Sequence, residues 1–263
     1  MATITSISTG NPGSAGQLMT INGTALSTAT RVNFGNKSAP ATVVSGTQIT
    51  CTIPSLCAGQ YNINVTAGTS TTNSLPFFYA ATPAVAAVAP STGPASPGTV
   101  TVNGSGFLNA TAVTFGAVGA GTALTVVNDS EITVTAPTHG AFTGCQDTVD
   151  VTVATPGGSS TTSVADQFVY YNAPAVTSLS PATGPAGTNV TVTGTCLDTV
   201  VDATFTPTAG GAAISADSFT SVSETQLIVV VPAGLTAGTT YDLQVITPGG
   251  TSAIVAGDVF TGA

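Results

Sequence analysis

Apolar residues recur at every second position along much of the chain. Tyr61, Ile63 and Val65 fall on one side of an extended segment, with Asn62 and Asn64 on the other. Val149, Val151 and Val153 repeat the pattern, as do Tyr241, Leu243 and Val245. A period of two sends alternate side chains to opposite faces, so these segments predict half-buried antiparallel strands. They recur about every 8–12 residues between clusters of Gly, Pro, Asn and Ser, which predicts two-sheet sandwiches. No stretch carries a 3.6-residue period with helix caps. The expected fold class is all-β.

One unit occurs three times. Pro174-Ala-Val-Thr-Ser-Leu-Ser-Pro181-Ala-Thr-Gly-Pro185 repeats Pro83-Ala-Val-Ala-Ala-Val-Ala-Pro90-Ser-Thr-Gly-Pro94. Each runs into an alternating segment, Asn189-Val-Thr-Val-Thr-Gly194 and Thr99-Val-Thr-Val-Asn-Gly104. The N-terminal copy is degenerate: Thr3-Ile-Thr-Ser-Ile-Ser opens it, and Leu18-Met-Thr-Ile-Asn-Gly23 matches the second segment. Arg31-Val-Asn-Phe34-Gly35 aligns with Ala112-Val-Thr-Phe115-Gly116 and, less closely, with Asp202-Ala-Thr-Phe205. Gln48-Ile-Thr-Cys-Thr-Ile-Pro54 aligns with Glu131-Ile-Thr-Val-Thr-Ala-Pro137 and Gln226-Leu-Ile-Val-Val-Val-Pro232. The expected modules are residues 1–80, 81–171 and 172–263. Thr155-Pro-Gly-Gly158 and Thr247-Pro-Gly-Gly250 predict a hairpin before each last strand, with Thr66-Ala-Gly68-Thr at that place in the first copy. A phosphate cradle would need a following helix or lysine, which these glycines lack.

The opening Pro-x-apolar pattern, the strand ending in Gly, Val-x-Phe-Gly, Ile-x-Val-x-x-Pro and the closing Phe-x-Tyr resemble the IPT/TIG family. These immunoglobulin-like domains occur in plexins, Rel-type transcription factors, bacterial surface proteins and some polysaccharide-acting enzymes. Phe77-Phe-Tyr79 and Phe168-Val-Tyr170 match the closing motif; the third copy ends Val259-Phe260-Thr-Gly-Ala, and the first lacks both opening prolines. The resemblance implies three tandem immunoglobulin-like β-sandwiches arranged as a rod. It implies no one function, since the fold hosts binding, linking and structural roles.

Composition narrows the function. Only 5% of the 263 residues are charged, and the net charge is -9. Two basic residues cannot neutralise a run of phosphates, which excludes nucleic acid as the expected partner, and they hold an anionic lipid surface poorly. No apolar run reaches membrane-spanning length, so no membrane insertion is expected, and the N-terminus reads as free of a signal peptide. One histidine, no tryptophan and two cations, Arg31 and Lys37, weigh against an enzyme. No cofactor or catalytic residue is expected. His139 is expected in an exposed loop. Asp147 with Asp150, Asp198 with Asp202, and Asp129 with Glu131 could help hold calcium, but none has a known ligand spacing, so no metal site is assigned.

The charge is unevenly spread. The first module carries +2, from Arg31 and Lys37, while the second and third carry -5 and -6, which together make the chain's -9. Compositional drift explains this, and so does head-to-tail assembly of cationic on acidic modules. A surface of Thr, Ser and Asn is easily desolvated, which suits lateral packing. Four cysteines, Cys51, Cys57, Cys145 and Cys196, lack zinc spacing and are expected as disulfide residues. Cys51 and Cys57 are near enough for a local bridge. In tandem immunoglobulin-like modules the loops of Cys145 and Cys196 face each other across a junction, which points to a Cys145–Cys196 bridge and an oxidising compartment. Seven Asn-x-Ser/Thr sequons, at Asn22, Asn36, Asn64, Asn103, Asn109, Asn128 and Asn189, are open to glycosylation in a secretory setting.

The expected function is a non-enzymatic structural protein. It would be a self-assembling subunit of an extracellular or virion surface filament or appendage, with copies of itself as partner and Arg31 and Lys37 in the assembly interface. The alternative is an adhesin or a carbohydrate- or protein-binding surface module with a surface glycan or host-surface partner. The five tyrosines fall mostly at core or linker positions, which disfavours sugar binding.

Overall fold

The computed structural model describes residues 1–8 and 13–263. The architecture is all-β, with six sheets, two for each repeat. By internal contacts the chain forms two compact units. One comprises Met1–Val88, Thr99–Thr135 and Asp150–Asp166; the other comprises Ala89–Gly98, Ala136–Val149 and Gln167–Ala263.

In the first repeat, a four-stranded sheet runs in the order Thr3–Ser8, Leu18–Thr24, Gln48–Thr52, Thr42–Ser45. A second sheet is centred on Ala29–Phe34 and Gly59–Ala67, with Lys37–Pro40, Ser70–Thr71 and Leu75–Tyr79 attached. The alternation read in the sequence sets what is buried. Met19 and Ile21 from one sheet and Val32, Phe34, Ile63 and Val65 from the other are fully enclosed. Phe34 and Phe77 meet edge to face, with ring centroids 5.8 Å apart.

The third repeat has the same plan. One sheet runs Ala175–Ser180, Asn189–Thr195, Gln226–Val230, Ser218–Ser223. The other holds Thr240–Thr247 between Val259–Gly262 and Asp202–Pro207. Its core joins Val190, Val192, Leu227 and Val229 to Phe205, Leu243, Val245 and Phe260. Phe260 takes the inward place although its closing motif lacks the tyrosine. In the middle repeat, Thr99–Ser105 pairs with Glu131–Thr135 from Thr99↔Thr135 to Asn103↔Glu131, and Ala112–Phe115 pairs with Gln146–Thr155.

A small device recurs in all three copies. The hydroxyls of Thr72, Ser160 and Ser252 each accept the backbone N–H of Val65, Val153 and Val245, at 3.0 Å. Each hydroxyl is buried and satisfies a strand donor that would otherwise be orphaned.

Candidate functional site

The Thr-Pro-Gly-Gly turns do more than reverse the chain. Thr155 and Gly158 close the hairpin, and the Thr155 hydroxyl accepts the Gly157 N–H at 3.1 Å. Gly157 lies against the preceding linker so closely that a Cβ there would overlap the Ala80 and Ala81 carbonyls. The Thr82 hydroxyl donates to Gly157 O at 3.2 Å, and the Thr155 hydroxyl reaches Ala81 O at 3.4 Å. The third repeat does the same: Gly249 presses on Asn172 O, with its N–H held by the Thr247 hydroxyl. In the first repeat the hairpin closes through Ala67 and Ser70, so Thr69 stands where Gly157 and Gly249 stand. These glycines let each module grip the linker that enters it.

Within the unit that contains residues 1–88, 99–135 and 150–166, a groove of about 540 Å³ opens beside this grip. Ala58, Gly59, Gln60, Phe78, Tyr79, Ala80 and Ala81 line one side, with Leu108, Asn109 and Pro156 opposite. Strand alternation dictates its character. Phe77 and Tyr79 turn inward and are 3% and 5% exposed, so Phe78 must turn outward and is 47% exposed. Gln60 lies directly across the ladder from Phe78. Leu108 is 50% exposed, and Asn109 follows it in the left-handed conformation at φ 63°. None of the ten lining side chains carries a formal charge at neutral pH. The closing Phe-x-Tyr motif leaves the middle residue unassigned, and the signal for the exposure of Phe78 is its place between two inward aromatics.

The cysteines divide into two pairs of different fate. Cys145 and Cys196 are joined by a disulfide, with Cα atoms 5.0 Å apart. The bridge links the second and third repeats within one compact unit. Cys51 and Cys57 are free thiols, which corrects the expected disulfide role of both. The cause is direction: Cys51 points from its strand into the core, where burial pushes its thiol up to about 12, while Cys57 is exposed in the following loop. Counted back from the paired residues Ile63 and Val151, Cys57 holds the same place as Cys145. Cys196 holds the place of Gly106 and Ala25, and all three have positive φ. The first loop thus has the cysteine, but the facing position carries glycine.

His139 is not exposed, contrary to expectation; it is 9% exposed. Its ring stacks on Phe142 at 4.1 Å and tilts on Tyr170 at 5.1 Å, and its Nε2 lies 3.1 Å from Asp147 Oδ2. Tyr170 donates its hydroxyl to Pro137 O at 3.0 Å, and burial pushes its phenol up to about 12. This is a packed loop, held by aromatic contacts around His139.

Arg31 and Lys37 are exposed on adjoining strands, Ala29–Phe34 and Lys37–Pro40. Arg31 Nε donates to Thr66 Oγ1 at 3.4 Å, and Lys37 Nζ donates to Ser55 O at 2.7 Å. Among the described residues neither meets a carboxylate, and no group of three or more His, Cys, Asp or Glu is placed to hold a metal. Two candidate calcium acids are spent locally: Asp129 accepts the Leu108 N–H, and Asp202 accepts from Ala203 and Ser215.

Asp166 and Asp258 are fully buried ahead of the closing strands. One oxygen of each accepts a backbone N–H, from Ser163 and Val255, while each Oδ1 has no hydrogen-bond partner among the described residues. Burial raises both carboxyls above the usual range, and Asp150 and Asp242 nearby raise them further.

Paired antiparallel sheets, enclosed aromatics and linker-gripping turns define a chain of immunoglobulin-like β-sandwich modules. The chain belongs to the IPT/TIG domain family, whose pattern it matches at residues 2–79, 83–170 and 174–261. Among proteins of curated function none matches it. Among solved structures it is similar to a protein crystallised with a xylogluco-oligosaccharide, at 19% identity and a TM-score of 0.45, over 99% of this chain and 60% of that one. It is similar to the plexin A4 extracellular region at 17% identity and a TM-score of 0.39, over 100% of this chain and 24% of that one. A Bacteroides ovatus surface glycan-binding protein in complex with a mixed-linkage heptasaccharide is 20% identical with a TM-score of 0.30, over 100% and 70%. The chain therefore spans less than two thirds of the first two of these. Among the described residues no helix is long and apolar enough to cross a membrane.

Proposed function

We propose that this chain is a non-enzymatic extracellular or surface module that works by holding a partner, as an adhesin or a carbohydrate- or protein-binding segment. The observation that carries this reading is the groove, where an outward Phe78 sits beside the Gln60 and Asn109 amides. A mostly apolar concavity with a few polar groups is the usual form of a binding site. The Cys145–Cys196 bridge supports an oxidising compartment. In this reading the modules keep their limits at 1–80, 81–171 and 172–263 and act as a scaffold. The test is display of the full chain on a sensor surface against immobilised glycans, and against surface proteins from candidate hosts. Saturable capture that is lost with Phe78→Ala supports the reading, and absence of capture in both panels refutes it.

A second reading, assembly of copies into a surface filament or virion appendage, is favoured by one observation. Arg31 and Lys37 are both exposed and without an ion-pair partner among the described residues, on a chain of net charge -9. Charge reversal of both to Glu is expected to weaken association about tenfold, read by light scattering at low salt. Unchanged scattering in the double variant, or a strictly monomeric parent protein, removes this reading.

A further inference from the structure

We propose that the groove binds a neutral carbohydrate chain, one sugar ring lying with its C–H face on Phe78 and its hydroxyls bonded by the Gln60 and Asn109 amides. This inference rests on the binding reading above and names its ligand class.

Three observations select the class. The lining is uncharged, so neither an anionic nor a cationic ligand meets a counter-charge in the groove, and a neutral one loses nothing there. Next, the groove joins a half-exposed aromatic face to two exposed amides, and neither amide makes a side-chain hydrogen bond among the described residues. An amide offers both donors and acceptors, which matches a hydroxyl doing both, while the ring covers the apolar face of a sugar. Finally, the backbone route to an extended peptide is closed. Beside the groove, at its Phe78–Ala80 end, the outer edge of Leu75–Tyr79 is already taken: Gly13 bridges Tyr79, its N–H donates to Phe78 O at 2.9 Å, and Ala80 donates to Gly13 O at 3.0 Å. A peptide would have no strand edge to extend here, whereas a sugar needs none. The volume, about 540 Å³, lies within the range of small-molecule sites.

The linker grip makes the groove a formed site. Pro156, from the turn whose Gly157 holds Ala80 and Ala81, forms one wall, and the gripped residues themselves form the floor. A ligand therefore meets walls already fixed to one another, which lowers the ordering cost of binding.

The experiment is calorimetric titration of the full chain with cellohexaose, mannohexaose and maltohexaose, with hyaluronan as an anionic control. At least one neutral hexasaccharide is expected to bind and hyaluronan is not. Phe78→Ala is expected to weaken that binding about tenfold or more, and Gln60→Ala by a smaller factor. Leu18→Ala, at a still more exposed apolar position outside the groove, is the control and should bind as the parent does. Matching thermal melts of each variant separate lost contact from lost fold. Binding of none of the three, or equal binding by Phe78→Ala, overturns the proposal. If the hexasaccharides fail while a surface protein is captured through Phe78, the carbohydrate class falls and the binding function stands. If nothing is captured, both fall.

Discussion

The first and third modules share a plan and differ in how three of its parts are tied. Where the third has Gly249, seated on the linker before it, the first has Thr69. Where the third has Cys196, locked to Cys145, the first has Ala25. Ahead of its closing strand the third buries Asp258 with an unpartnered oxygen. At the matching stage the first uses Asn73, whose side chain both accepts from Ile4 N and donates to Ile4 O at 2.9 Å. The same sandwich is therefore tied by a covalent bond and a buried acid in one copy, and by neutral hydrogen bonds in the other. The groove lies beside the linker that has no such bond.

Breaking the bond should have the largest effect. Removing Cys145–Cys196 by the paired Ser variants is expected to destabilise the unit holding residues 89–98, 136–149 and 167–263 by about 2–4 kcal/mol, the usual worth of a loop this long. Calorimetry should show one transition lowered and the other unmoved. A pattern in which both fall together would mean that the two units melt as one. Iodoacetamide should modify Cys57 in the folded protein and Cys51 only after unfolding, which checks the other half of the comparison by mass spectrometry.

How much of this was legible follows from what each feature depends on. Period-two alternation reports which face of a strand is buried, so the enclosed Ile63, Val151 and Leu243 were readable without coordinates. The same rule turns Phe78 outward between Phe77 and Tyr79, but alternation alone does not say that an exposed aromatic lines a groove. The turns were read as hairpins, correctly, yet their glycines exist for a contact with residues some 75 positions earlier, as in Thr82–Gly157. Nothing local encodes such a contact. Cys51 and Cys57 were grouped by closeness in sequence, while the side-chain direction of a strand residue separated them. His139 was read as exposed because polar turn residues usually are, and Phe142 and Tyr170 overrode that.

The linker grip predicts the next largest change. Gly249→Ala places a Cβ into Asn172 O, and relief requires the turn or the linker to shift, at a cost of about 1–3 kcal/mol. Gly157→Ala should cost a similar amount through Ala80 and Ala81, and should also weaken ligand capture, because Pro156 moves with the turn. Thr69→Gly should cost only the tenths of a kcal/mol of a freer unfolded chain. Chemical denaturation of the three variants checks the ranking. An equal cost at Thr69 and Gly249 would show that turn propensity, not the grip, sets it.

Asp258 gives the smallest effect and the sharpest signature, because its sign depends on pH. Burial raises its folded carboxyl above its unfolded value, so the folded state holds the proton more tightly. Below the unfolded value both states are protonated and the group costs nothing. As pH rises from about 3.8 towards the folded value, the unfolded state loses its proton first, and stability falls. Above that window the buried charge, one oxygen unpartnered and Asp242 nearby, is a standing penalty. Asp258→Asn keeps the acceptor for the Val255 N–H and removes the charge, as Asn73 does in the first module. The variant should be more stable than the parent by about 1 kcal/mol at neutral pH, and the gain should vanish below pH of about 3.8. Denaturation midpoints across that range decide the matter. A variant less stable at neutral pH would mean that the ionised carboxylate has a partner worth more than its burial, and that the two modules close by unrelated means.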